Sequence, residues 1–170
     1  MSKTSVSVVS GDIARVKADA LITAIHSGGL WFGGIDGVIN RAAGNLFHSQ
    51  AAKASPLKDG QIVIAHSNGH AHDGAFTDVI FVVDDLKRPL HEIVYGGLKA
   101  ASDAGFKSVS LPTVRMGKML GVVEKSVNEA VAEMAKGVQK FLADRNTLKS
   151  ITFVVYNDPK TQTLLQKALG

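Results

Sequence analysis

Apolar residues along this chain follow two alternating patterns. Three runs, 20–25, 79–83 and 151–156, are nearly continuously apolar and rich in β-branched residues, as expected of strands covered on both faces. Shorter apolar segments at 5–9, 61–65 and 109–111 are bounded by Gly, Asp or Pro and predict further strands. Between them, Val38, Ile39, Ala42, Ala43, Leu46 and Phe47 recur at helical spacing, as do Leu90, Ile93, Val94, Leu98 and Ala101 ahead of Gly105. The clearest helix carries Val127, Ala130, Val131, Met134, Ala135, Val138, Phe141 and Leu142 on one face, and a short last helix holds Leu164, Leu165 and Leu169.

Strands and helices that alternate in this way predict an α/β fold. The expected form is a three-layer α/β/α sandwich around a mixed, largely parallel sheet of about six strands. In such a sheet a ligand sits outside the carboxyl ends of the strands, where loops enter helix amino termini. The search for function therefore narrows to the loops after Ile25, Leu111 and Tyr156 and the turn after Val9. No repeat or linker interrupts the pattern, so residues 1–170 are expected to form one domain.

Composition removes several chemistries. Hydrophobic residues make up 45% and charged residues 20% of the chain, which is ordinary globular usage. With Cys at 0 there is no disulfide framework, thiolate nucleophile or Cys-based zinc site. The first eleven residues lack the apolar stretch of a signal peptide, so the expected location is the cytoplasm, with no membrane partner. A net charge of +4 without any run of five like charges suits a phosphate-bearing small ligand as readily as nucleic acid. Only 6% of residues are aromatic, so stacking platforms for a nucleic-acid strand are few.

The strand at 20–25 runs into His26, Ser27, Gly28, Gly29, Leu30, Trp31, Phe32, Gly33, Gly34, Ile35, Asp36 and Gly37 before the first helix. Glycines let backbone amides approach a ligand closely, and a helix amino terminus adds unpaired N–H groups and a positive dipole end. Together these suit a phosphate. The competing reading is a flexible turn in which Asp36 only complements the helix dipole. The dinucleotide pattern G-x-G-x-x-G is absent, and Gly117-Lys118 lacks both the upstream Gly and the following Ser or Thr of a P-loop.

Taken in order, Gly11-Asp12-Ile13, the strand at 20–25, Gly33-Gly34-Ile35-Asp36-Gly37-Val38-Ile39, Arg41-Ala42-Ala43-Gly44, Leu111-Pro112-Thr113-Val114 with Gly117, and Phe153-Val154-Val155-Tyr156 resemble the macrodomain family over nearly the whole chain. The resemblance implies binding of ADP-ribose or a related adenine nucleotide, free or attached to protein, with no cofactor. It assigns Asp12, with Ile13 beside it, to the adenine amino group; the rival role for Asp12 is helix capping. It gives the amides of Gly33, Gly34 and Ile35 to the diphosphate, and closes the other side with Thr113, Val114, Arg115, Met116, Gly117, Lys118 and Met119. Arg115 and Lys118 would add charge-assisted bonds there, or stand as solvated loop charges. Tyr156 would stack near the adenine or belong to the core.

Two departures from the family bear on activity. His26 stands where the family's Asn orients the distal ribose, and Val114-Arg115-Met116-Gly117 replaces a Ser-Thr-Gly-aromatic pattern. Binding without turnover is therefore the favoured expectation. The alternative is hydrolysis of mono-ADP-ribosylated protein, O-acetyl-ADP-ribose or ADP-ribose 1″-phosphate, with Asp36 positioning or activating water and His26 bonding the ribose or acting as acid or base. A nucleic-acid-end binder is the weaker third reading. His66, His70 and His72 with Asp73 form a possible metal cluster, but they read as a surface hairpin and no metal is expected.

Overall fold

The computed structural model describes residues 4–27, 34–115, 120–144 and 146–170, without the side chain of Asp36. Among these residues six strands form one sheet: β1 Ser5–Ser10, β2 Ala18–Ile25, β3 Ile62–Ala65, β4 Phe76–Val83, β5 Ser108–Pro112 and β6 Ser150–Val155. Their order across the sheet is β1-β6-β5-β2-β4-β3. All neighbours pair parallel except β3, which runs antiparallel beside β4 at one edge. Five carboxyl ends thus open on the same edge.

The helices lie on both faces, as the alternation of elements requires. α3 Leu90–Asp103, α4 Val127–Leu142 and α5 Pro159–Leu169 cover one face, through Leu98, Met134, Phe141 and Leu165. α1 Gly34–Ala43 and α2 His48–Lys53 cover the other, through Ile39 and Ala51. The central strands are apolar on both sides because alternate residues feed alternate cores: Ile80 and Val82 of β4 enter one, Val79 and Phe81 the other.

The periodic stretch ending at Phe47 predicts one helix, and the chain forms two. Gly44 adopts φ +58°, a left-handed conformation that ends α1, and Phe47 drops fully buried into the core ahead of α2. The predicted strand bounds agree with the observed ones to within a few residues.

Candidate functional site

A cleft of about 580 Å³ opens at the carboxyl edge, over β1, β6 and β5 and against α1. Each wall comes from a different part of the chain. After β1 the chain turns at Gly11, whose φ of +152° favours glycine and whose amide donates to Val155 O at 3.1 Å, tying the turn to β6. Asp12 then caps the 3-10 turn Ile13–Arg15, accepting from Ala14 N on Oδ1 at 2.9 Å. Its Oδ2 lies 3.9 Å from Arg15 Nε, beyond hydrogen-bond range. Ile13 is buried below, in the core shared with α1.

After β5, Pro112 and Thr113 form the second wall. After β6, Val154 and Val155 form part of the floor, and Tyr156 stands 78% exposed at the rim, so it is not a core aromatic. Asp158 closes this side. It caps α5, accepting from Thr161 Oγ1 at 2.5 Å and Thr161 N at 3.2 Å, and these donors hold its carboxyl below the usual carboxylate range. The fourth wall is α1, which presents Ile35, Val38 and Arg41 at steps of three residues.

Of the residues expected at the site, Asp12, Ile13, Ile35, Thr113 and Tyr156 meet here. Gly34 and Asp36 sit in the first turn of α1, with the side chain of Asp36 outside the description. Gly33, Met116, Gly117, Lys118 and Met119 lie outside the described residues. Val114 instead packs partly buried against the core under α3 and α4.

Arg115 departs furthest from its expected role as a ligand cation or solvated loop charge. Its guanidinium is 1% exposed and fully committed: Nε and Nη2 donate to Asp84 at 3.0 and 2.8 Å, and Nη1 donates to both oxygens of Glu124 at 2.9 and 3.1 Å. Nη2 also donates to Arg88 O at 2.6 Å. All five N–H groups are thereby used. Burial opposes the charge, but Asp84 and Glu124 outweigh it and raise the Arg115 pKa further.

His26 also lies outside the cleft walls. Its Nε2 is 3.3 Å from Asp85 Oδ1, which accepts from Ser27 N at 2.8 Å as well. Burial alone would raise the Asp85 pKa, yet the Ser27 bonds and the charges of His26 and Lys87 bring it below the usual value.

The three loop histidines go separate ways in the β3–β4 hairpin. His66 Nδ1 meets Asp78 Oδ2 at 2.9 Å, His72 packs edge-on against Phe47, and His70 is exposed. Among the described residues no group of three or more His, Asp or Glu side chains could hold a metal, and no helix is long and apolar enough to cross a membrane.

Gly11, Val38, Arg41, Pro112, Val154, Val155 and Asp158 also line the cleft without having been singled out as site residues. A signal existed for each: Gly11, Pro112, Val154 and Val155 belong to segments that carry the family resemblance. Val38 and Arg41 follow Ile35 at helical spacing, and Asp158-Pro159 is a helix-start signature.

No family model matches the chain. Over 175 residues it is 29% identical to an O-acetyl-ADP-ribose deacetylase of Cronobacter turicensis, covering 97% of this chain and 96% of that protein. It is 30% identical over 133 residues to an uncharacterized protein of Aeropyrum pernix, covering 75% and 67% of the two chains. Among solved structures it superposes on a Trypanosoma brucei macrodomain in complex with ADP-ribose with a TM-score of 0.80 at 21% identity, covering 97% of this chain and 69% of that one.

Proposed function

As the chain belongs to the macrodomain family, we propose that it binds ADP-ribose, free or attached to protein, in the cleft at the carboxyl edge of its sheet. The observation that carries this reading is the convergence of Asp12, Thr113 and Tyr156, from three separate loops, on one cleft walled by the start of α1. Its volume of about 580 Å³ lies in the ordinary range for small-molecule sites.

Each group has work that suits its chemistry. A carboxylate can only accept, and Asp12 spends Oδ1 on Ala14 N, so Oδ2 is the atom assigned to the adenine amine. Tyr156 offers an exposed ring for the base. The amino terminus of α1, with Gly34 and Ile35 in its first turn, offers amides and a positive dipole end to the diphosphate. We further propose that the 170 residues act as one domain in the cytoplasm.

A second reading, hydrolysis of an ADP-ribose linkage, is favoured by the deacetylase relatives. Asp36 would position the water and His26 the ribose. His26→Asn and Asp36→Ala, assayed for release of ADP-ribose from modified protein and of acetate from O-acetyl-ADP-ribose, test it. No release at high protein concentration leaves binding alone.

Calorimetric titration with ADP-ribose, AMP and a short RNA tests the main reading. ADP-ribose is expected to bind at least tenfold tighter than AMP, a difference of about 1.4 kcal/mol. Equal affinities remove the diphosphate assignment, and tighter RNA binding replaces the reading with nucleic-acid recognition.

A further inference from the structure

Arg115 lies two residues beyond Thr113 and is the hub of a closed polar cluster. Its partners come from two places in the fold, the β4–α3 connection and the loop before α4. Asp84 follows β4, and its amide donates to Ile25 O at 2.7 Å, at the end of β2. Glu124 Oε2 accepts from Leu90 N at 3.0 Å, at the start of α3. Arg88 offers its carbonyl from the β4–α3 connection. The three side chains of the ion cluster are 1%, 0% and 3% exposed.

Two features of the cluster do not follow from stability alone. Arg115 holds φ +61°, a left-handed conformation that an L side chain rarely adopts and that glycine would take without strain. Buried ion clusters also contribute little net stability compared with apolar residues of similar volume. A left-handed arginine bonded through all five N–H groups is better explained by what it fixes: the exit direction of the chain after Thr113.

We propose that Arg115 is a positioning residue. By clamping Asp84 and Glu124 together, it sets the cleft wall that carries Thr113 against the diphosphate of the ligand, without touching the ligand itself. The proposal rests on the reading of the cleft as an ADP-ribose site, and it adds that selectivity for the diphosphate depends on a buried cluster outside the cleft.

The test compares ADP-ribose with AMP, which carries the base and one phosphate, in the full chain. Arg115→Lys keeps the charge but cannot span both carboxylates with a planar fork. The triple variant Arg115→Gly/Asp84→Asn/Glu124→Gln removes the cluster without stranding a buried charge and suits the left-handed backbone. Folding of each is checked by circular dichroism and by its unfolding transition, and affinities are read by calorimetry, or by NMR titration where AMP is weak. In both variants ADP-ribose affinity is expected to fall about tenfold while AMP affinity stays within about twofold, so the selectivity ratio collapses. An unchanged ratio in both folded variants would overturn the proposal. So would recovery of full ADP-ribose affinity by Lys alone, which would mean that the charge contacts phosphate directly. Failure of the wild-type chain to bind ADP-ribose would instead remove the reading of the cleft, and this proposal with it.

Discussion

Two polar regions share the carboxyl edge of the sheet and treat their hydrogen-bonding capacity in opposite ways. The corner formed by Asp84, Arg115 and Glu124 is dry and saturated, with every guanidinium N–H paired and three side chains almost wholly buried. The cleft a short distance along the edge is open. There Asp12 keeps Oδ2 outside hydrogen-bond range of Arg15, Tyr156 stands exposed, and a void of about 580 Å³ remains. A polar residue at this edge is therefore not a ligand group by position alone. What distinguishes a binding group from a structural one is whether its donors and acceptors are already used.

The largest expected effect breaks the closed corner. Arg115→Met leaves two carboxylates buried without their cation and should cost about 3–5 kcal/mol of stability, the usual penalty for removing one member of a buried ion pair. Urea denaturation measures it. A loss under about 1 kcal/mol would mean that the corner is wetter and looser than described.

Asp12→Ala probes the open region. It should weaken ADP-ribose by about 1–3 kcal/mol, the scale of a hydrogen bond to a charged group, while costing roughly 1 kcal/mol of stability through the lost cap. If unfolding is severe while the remaining folded protein binds normally, Asp12 is a cap and nothing more.

The smallest effect lies beside the closed corner, at Asp85, the residue after Asp84. Its carboxyl titrates below the usual value of 3.8 in the folded chain. A depressed carboxylate contributes stability that is present above its unfolded value and lost as the pH falls through its folded value. Wild type should therefore lose its advantage over Asp85→Asn as the pH drops from above the usual value of 3.8 to below it. Denaturation curves at several acid pH values check this, and a gap independent of pH would mean that the Ser27 bonds do not set the titration.

The cleft was more legible in the sequence than the corner for a simple reason. Its contributors sit at strand ends, and the strands announce themselves: continuous apolar runs place Ile25 and Val83, and the alternation of strands with helices, which makes the sheet largely parallel, then places Asp12, Thr113 and Tyr156 on one edge. Helix starts were visible too, but the division between α1 and α2 was not, because Leu46 and Phe47 continue the apolar period across Gly44. Arg115 could not be read at all. Its partners Asp84 and Glu124 lie 31 and 9 residues away, and nothing local separates an arginine that folds inward from one that reaches for phosphate. His26 shares that difficulty, since its partner Asp85 is brought close only by the parallel pairing of β2 with β4.

The most direct test of the account follows backbone amides by NMR while ADP-ribose is added. Gly11, Asp12, Ile13, Thr113 and Tyr156 are expected to shift together along one saturating curve, while Asp84 and Leu90, in the closed corner, stay within the line width. Shifts confined to the closed corner or to the β3–β4 hairpin, with the cleft amides unmoved, would contradict it.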